Sequence, residues 1–370
     1  MICIMKRLLF LISAYLICAG QLHSNDTLRL VFTGDMMQHT PQINAAKTPN
    51  GTYNYDTCFT FLANEIKYAD FKVANLELTL ADAPYSGYPC FSAPDAIAEV
   101  LKKAGFDLLS TANNHCCDRG AKGVNRTLDI LGKLNFYHAG TYRNIAEKTF
   151  SYPQIVDVKG FRLAFLSYTY GTNGLPVVHP NIVNLIDTAE IAKDAELAKK
   201  YNPDMIICLL HWGLEYQLKQ NTEQKMLADF MVARGINLII GSHPHVVQPM
   251  EAKKDSEGNI TSAVVYSLGN AVSNQNQEHT DIGAIAHIAL VKSETETKIA
   301  DCKYSLILRH RPIENGKSKF YIIPTSTLQK QRHLFTVKDY LSMVQIAENT
   351  RKRLNANNKN FEERDNNSVK

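Results

Sequence analysis

The sequence predicts an α/β fold with an antiparallel part late in the chain. Between residues 28 and 240, short apolar runs alternate with segments whose apolar residues recur at helical spacing. Two further apolar runs, at 263–268 and 284–291, follow one another with no helical segment between them. Alternation of this kind is typical of a sheet covered by helices, whereas strands without a crossover helix are typical of antiparallel pairing.

The predicted strands share a short length and a content of mostly apolar side chains, which is the pattern of buried strands. Each is followed within a few residues by glycine, proline or polar residues that end it. In chain order the predicted strands are LRLVF (28–32), FKVANL (71–76), FDLLST (106–111), RLAFLSY (162–168), DMIICLL (204–210), INLII (236–240), AVVYSL (263–268) and AIAHIALV (284–291).

Three segments have the apolar spacing of amphipathic helices. In the first of them apolar side chains recur at i, i+3, i+4 and i+7, and Gly105 supplies a stop signal. Thr222 is the predicted N-cap of the third. The three segments are 94–105, 122–134 and 222–235.

The two ends of the chain differ in composition from its middle. Lys6 and Arg7 precede about a dozen apolar residues and then small ones, which predicts a secretory signal peptide over 1–20 and an exported protein of the periplasm or cell envelope. Cys18 offers an attachment point for a lipid, so a membrane-anchored lipoprotein is an alternative to a released protein. The 335–370 segment is expected to form a C-terminal helix and a tail, and the polar, Asn-rich residues 351–370 are expected to be disordered.

The overall charge excludes one broad class of partner. The 370 residues carry a formal net charge of only +4 and show no basic stripe, so the sequence predicts no nucleic-acid binding.

Polar side chains of metal-binding types follow five predicted strands. Because the carboxyl ends of strands in an α/β sheet line the ligand crevice, these side chains are expected to meet at one edge. Carboxylate, amide and imidazole ligands suit Mn²⁺, Zn²⁺ or Fe²⁺, and two such ions can share a carboxylate. The residues are Asp35; Asn75 and Glu77; Asn113, Asn114, His115 and Asp118; His211 and Glu215; and His243 and His245.

The H-x-H pair in GSHPHV (241–246) has two interpretations when it is taken alone. His243 and His245 are either loop histidines or metal ligands, and Pro244 restricts the backbone between them. The other strand-end residues favour the metal interpretation.

Several of these motifs together resemble a known family. GDMM, ANLE, ANNHCCDRGAKGVNRTLDIL, HWGLEY, GSHPHVVQPME and YSLGN, in this order between about 28 and 290, are similar to the CapA family of bacterial proteins named for poly-γ-glutamate capsule synthesis. That family in turn resembles the calcineurin-like metallophosphoesterases. The resemblance implies a four-layer αββα sandwich, a CapA-like domain over 28–330 and a centre with one or two divalent ions.

The resemblance also implies roles for individual residues. His115 matches a proton-donating histidine, and Asp118 would support it in place of Cys116, which stands where an acidic residue is usual. The two rings of the H-x-H pair would face different ions of a pair. Asn75, Asn113 and Glu215, which follow the same predicted strands, are expected from their positions alone to bind substrate or support the ligands. The implied metal ligands are Asp35, Glu77, Asn114, His211, His243 and His245.

The sequence departs from the phosphoesterase pattern at positions that matter for metal binding. Met37 occupies a position where a histidine ligand is usual, and Leu76-Glu77 replaces a Gly-Asp pair. Ala271 follows SLGN where the CapA family usually has an aromatic residue. The loss of a histidine ligand at position 37 weakens one of the two metal sites, so a centre with a single ion is an alternative to a two-ion centre.

Two classes of function follow from the resemblance. The first is an exported metal-dependent hydrolase or transferase that acts on an anionic cell-surface polymer or a phosphorylated precursor. The second is a non-catalytic component that grips a polyanion through metal during polymer synthesis or export. Either would have membrane components of a polymer synthase as possible partners.

Overall fold

The structure is a computed structural model that describes residues 26–294, 296–314 and 316–364. The predicted signal peptide and Cys18 lie outside the described residues. Within the described ranges, no helix combines the length and apolar character that a membrane crossing requires.

All eight strands predicted from the sequence are present, with ends that differ from the predicted ends by at most four residues. The strands are β1 (Asp26–Met36), β2 (Phe71–Asn75), β3 (Leu108–Ser110), β4 (Tyr137–Ala139), β5 (Thr141–Tyr142), β6 (Gln154–Val158), β7 (Phe161–Thr169), β8 (Ile182–Val183), β9 (Met205–His211), β10 (Leu238–Ser242), β11 (Met250–Lys254), β12 (Ile260–Val265), β13 (Asn270–Val272), β14 (Ile282–Lys292), β15 (Thr297–His310), β16 (Ile313–Glu314), β17 (Lys317–Ser318), β18 (Tyr321–Pro324) and β19 (Glu362–Glu363).

The three predicted helices are also present, together with five others in the described ranges. Asn221, not Thr222, is the N-cap of the third, because its side chain accepts a hydrogen bond from the backbone N–H of Gln224. The helices are α1 (Thr40–Ala46), α2 (Asp56–Ile66), α3 (Ala96–Lys103), α4 (Gly120–Lys133), α5 (Ile145–Ser151), α6 (Thr188–Lys199), α7 (Thr222–Val232) and α8 (Val337–Asn357).

The main sheet has two halves. In the first, β1 to β4 run parallel in the order β4-β3-β2-β1, and β14 and β15 continue it as antiparallel strands. In the second, β7, β9, β10 and β12 run parallel, with β6 and β11 antiparallel at their sides. One residue pair, Ile260 with Ile299, joins β12 to β15 and so connects the halves.

The two halves pack face to face. Alternate residues of each half, such as Phe32 and Val73 in the first and Phe165 and Ile207 in the second, lie in one buried apolar core. Side chains two apart on a strand point to the same face, so each strand gives every second residue to this core.

The remaining strand residues face the helices on the outside. Ala74 of β2 packs in a second core with Leu62 of α2 and with α3. Cys208 of β9 packs in a third core with Ile191 of α6 and with α7. The order of layers is therefore helix, sheet, sheet, helix, which is the four-layer αββα sandwich expected from the resemblance.

The C-terminal segment does not follow the expectation of disorder. Residues 351–364 continue α8 and then form β19, and Phe361 is 3% exposed in the core between the sheets. The asparagines are part of the ordered structure, because Asn358 accepts a hydrogen bond from the N–H of Met250 and Asn360 donates one to the carbonyl of Ala252. The core thus extends beyond the predicted domain limit at residue 330, while residues 365–370 lie outside the described ranges.

The parallel strands of both halves end at the same edge. Asp35 of β1 is paired in register with Asn75 of β2, and His211 of β9 with Ser242 of β10. A hydrogen bond between Ser110 and Ser167 joins the halves there at 2.9 Å. This edge carries the side chains that the sequence singled out.

Candidate metal centre

Glu77 lies at the middle of the polar cluster and is fully buried. Neither of its carboxylate oxygens has a hydrogen-bond partner in the protein. Its Oε1 lies 3.6 Å from Nε2 of His211 and 3.8 Å from Nε2 of His245. Burial, with Asp35 nearby, raises the pKa of Glu77 well above its ordinary value. Because an unpaired buried carboxylate is costly, this arrangement calls for a cation at Glu77.

Asp35 is held in place from two sides. Its Oδ1 accepts a hydrogen bond from the side-chain amide of Asn75 at 2.8 Å, and its Oδ2 lies 3.1 Å from Nδ1 of His245. Asn75 also lies 3.2 Å from Nδ1 of His211, so it orients one carboxylate and one imidazole together.

His211 lies between two amides and beside another imidazole. Its Nε2 lies 2.9 Å from Oδ1 of Asn114, and its ring centre is 4.7 Å from that of His243. Burial, together with the neighbouring His243 ring, lowers the pKa of His211 well below its ordinary value. Burial likewise lowers the pKa of His243 to about 3. Both imidazoles are therefore held neutral, which is the form that binds metal ions.

The backbone of the H-x-H pair is strained. His243 has a φ of 98° and His245 a φ of 61°, in the left-handed region that side chains rarely adopt. Nδ1 of His243 is buried without a partner. Backbone strain at a polar cluster is typical of a functional site, where the surrounding structure imposes the geometry.

The ligand atoms form two groups that share Glu77. One group is Asp35, Glu77 and His211, and the other is Glu77, His243 and His245; within each, the atoms lie within 4.8 Å of one another. This donor set fits one or two divalent ions with Glu77 between them. That His243 and His245 face different ions stays a prediction. Both belong to the same group of ligand atoms with Glu77. Their other neighbours differ, because His243 packs on His211 and His245 lies beside Asp35.

His115 and Asp118 form a buried pair at the side of this cluster. Nδ1 of His115 lies 2.8 Å from Oδ2 of Asp118, which also accepts a hydrogen bond from the N–H of Phe91 at 2.6 Å. The Phe91 ring packs edge-on against the imidazole at 4.5 Å. Cys116 instead packs in an apolar cluster with Val124, so the carboxylate that supports His115 comes from Asp118.

The other predicted residues occupy different positions. Asn113 is buried and stabilises the loop that carries His115. Its side-chain amide donates a hydrogen bond to the carbonyl of Leu76, and its Oδ1 accepts one from the N–H of His115. Glu215 is half-exposed, with Oε1 3.8 Å from Nε2 of His245. Met37 is buried in the apolar core on the helix side of β1 and β2, so it supplies no ligand.

Sequence reasoning missed two residues of the site. Asn270, the asparagine of the YSLGN motif, places its Oδ1 3.1 Å from Nδ1 of His245. His39 is mostly buried beside Phe91, and burial lowers its pKa to about 4. His39 stands four residues after Asp35, which is not a spacing of the metal-binding motifs considered in the sequence, so its position beside the site is visible only in the fold.

The fold and the cluster define an αββα sandwich protein with a candidate metal centre at the carboxyl ends of its parallel strands. The chain belongs to the bacterial capsule synthesis protein family PGA_cap, whose sequence model matches residues 29–275.

Two similar proteins are both named CapA. The capsule biosynthesis protein CapA of Bacillus anthracis is 29% identical over 72% of this chain and 64% of its own length. The PGA biosynthesis protein CapA of Bacillus subtilis is 28% identical over 74% of this chain and 70% of its own length. The match thus spans less than two thirds of the first relative.

Solved structures show a distant likeness. The calcineurin-like phosphoesterase YfkN of Bacillus subtilis aligns with a TM-score of 0.48 and 14% identity over 87% of this chain and 100% of that one. The NAD nucleotidase of Haemophilus influenzae aligns with a TM-score of 0.47 and 13% identity over 93% and 58%.

Proposed function

We propose that the protein is an exported metal-dependent hydrolase or transferase that acts on an anionic capsule polymer, such as poly-γ-glutamate, or on a phosphorylated precursor of it. The names of the two relatives support the polymer. The observation that carries the metal-dependent site is Glu77, a fully buried carboxylate whose two oxygens have no hydrogen-bond partner and which lies in one cluster with the neutral imidazoles of His211 and His243.

Six residues would hold the ions: Asp35, Glu77, Asn114, His211, His243 and His245. Bound divalent ions would act as Lewis acids toward a carbonyl or phosphoryl oxygen of the substrate. Asn75 and Asn270 orient Asp35 and His245 through the contacts described above.

His115 would handle the proton of the leaving group. Asp118 engages Nδ1 of His115, which fixes the ring and leaves Nε2 for the substrate. Phe91 covers the imidazole from one side, so the pair is shielded from bulk water.

The departure at Met37 favours a second candidate. With one usual ligand replaced by a buried methionine, a non-catalytic centre that only grips a polyanion during synthesis or export has a physical basis. Membrane components of a polymer synthase would be the partners of either version.

The activity should depend on metal in a reversible way. Purified protein supplied with Mn²⁺ or Zn²⁺ should shorten poly-γ-glutamate or hydrolyse bis(p-nitrophenyl) phosphate, and a chelator should abolish this turnover until metal is restored. Chain length by gel filtration and nitrophenolate release measure the two reactions. Turnover that is the same with and without chelator would contradict the proposal.

The proposed location is outside the cytoplasmic membrane, because the first twenty residues have the charge and apolar pattern of a signal peptide. Fractionation of cells with N-terminal sequencing should find the protein in the envelope fraction without Met1. Cytoplasmic protein that still begins at Met1 or Ile2 would refute this.

A further inference from the structure

A basic groove lies next to the His115 loop, and we propose that it binds a stretch of the anionic chain whose neighbouring bond reaches the metal centre. The lining of the basic groove includes Arg119, Lys122 and Arg126, one carboxylate, Asp82, and neutral residues such as Tyr85. The proposal rests on the proposed function, since it makes the groove part of the same substrate site.

The groove is formed by one face of α4 and by the loop that follows Leu80. Lys122 and Arg126 are four residues apart in α4, so their side chains lie on one face of the helix, and Arg119 is the N-cap residue just before it. The space they line measures about 430 Å³ and is open to solvent. It is too large for one small anion and suits several units of a chain.

The charges of the groove are not balanced within the protein. Lys122 lies 2.8 Å from Asp82, and Arg126 binds both Asp82 and Asp95. Arg119 donates only to neutral acceptors, namely the carbonyls of Phe91 at 3.2 Å and Cys90 at 2.9 Å and the hydroxyl of Ser86.

Among the described residues, no carboxylate is paired with Arg119. Three cations therefore face two carboxylates, and the guanidinium of Arg119 is hydrogen-bonded only to neutral acceptors, so its charge has no paired anion. The pair of Lys122 and Asp82 is largely exposed, at 81% and 53% of their side chains. Exposed ion pairs stabilise a protein little, so an incoming anion can replace Asp82 at Lys122.

The groove lies beside the loop that carries the proposed proton donor. Arg119 directly follows Asp118, the partner of His115, and holds the carbonyl of Phe91, whose ring packs on His115. Tyr88, on the same loop, is 70% exposed with its ring centre 6.4 Å from that of His115. A chain seated on Arg119 and Lys122 therefore leads past Tyr88 toward His115.

The ligand chemistry is a chain of repeated anionic groups, and its source can be carboxylate or phosphate. Fluorescent poly-γ-glutamate and polyphosphate are the two probes, with neutral dextran as the uncharged reference. Binding is measured by anisotropy on the full metal-loaded protein at several salt concentrations.

Lys122→Glu is the test variant and Lys193→Glu is its matched control. Lys193 is 71% exposed and pairs with Glu190 at 2.7 Å on α6, so both variants change the net charge equally and break one surface pair. Lys122→Glu should weaken binding of at least one anionic chain about tenfold and reduce its salt dependence, since a like charge now faces the chain. Lys193→Glu should leave both affinities within about twofold.

The pattern of loss identifies the ligand or overturns the proposal. Loss for poly-γ-glutamate alone, polyphosphate alone or both supports the groove and names its chemistry. Equal affinities of Lys122→Glu and Lys193→Glu for both chains, or equal binding of dextran, would overturn it. Repeating the titration in Glu77→Gln separates the two proposals, because groove binding should persist there even if the metal centre proves wrong.

Discussion

Glu77→Gln is expected to lose bound metal and with it all metal-dependent activity. Glutamine keeps the size of the side chain but removes the charge that both ligand groups share. Elemental analysis should find about one or two ions per chain in the wild-type protein and at least one fewer in the variant.

The same substitution should change stability in opposite directions with and without metal. Without metal, Glu77→Gln should melt at the same temperature as the wild type or higher, because it removes a buried carboxylate that lacks a partner. With metal at about a thousand times its dissociation constant, the wild type should gain about 4 kcal/mol of unfolding free energy and the variant far less.

Glu65→Gln is the matched control for this prediction. Glu65 is also largely buried, but Ser326 donates a hydrogen bond to its Oε2. Its Oε1 has no hydrogen-bond partner but lies 3.7 Å from the charged guanidinium of Arg364. The control should keep its metal and lose stability in both states. A Glu77→Gln protein that keeps full metal content, or that is destabilised without metal as Glu65→Gln is, would refute the role of Glu77.

His115→Ala is expected to lower the rate by about 10²–10⁴-fold while metal content stays the same. His115 contacts Asp118 and Phe91 and belongs to neither group of ligand atoms. Its ring is 3% exposed, so alanine leaves a cavity, and His115→Gln serves as a second variant of closer volume. Rates are compared per folded molecule, with metal content measured on the same samples.

His287→Ala is the control for loss of a buried histidine. His287 bonds to Tyr68 and, at 2.8 Å, to Ser305 on the helix side of β14, away from the cluster. It should lower stability and leave the rate per folded molecule unchanged. An undiminished rate in both His115 variants would contradict the role of His115 as proton donor.

The sheet and most of the site could be predicted from the sequence because they depend on local patterns. An apolar run ending in Asp35, Asn75 or His211 predicts both a strand and the edge at which the side chain emerges. Parallel pairing then brings those ends together whatever the order of strands. Glu77 could be predicted by the same reasoning, because it follows the predicted strand 71–76, although Leu76-Glu77 replaces the Gly-Asp pair that is usual in the phosphoesterases.

Other features depend on long-range packing that no local pattern contains. The tail around Phe361 is polar enough to predict disorder, yet one buried ring and backbone pairing with Met250 hold it in place. His39 reaches the site only because the helix after it starts beside Phe91. Asn270 acts through a contact with His245 that requires β13 to pair with β1.

The most direct measurement is a crystal structure of protein soaked in Mn²⁺, with anomalous scattering used to locate the ions. The account predicts one or two peaks at metal-ligand distance from the Glu77 carboxylate, of about 2.0–2.2 Å, with Asp35 or the histidines of the two groups completing each site. A fully ordered site with no anomalous peak near Glu77, or with manganese bound only elsewhere on the protein, would contradict it.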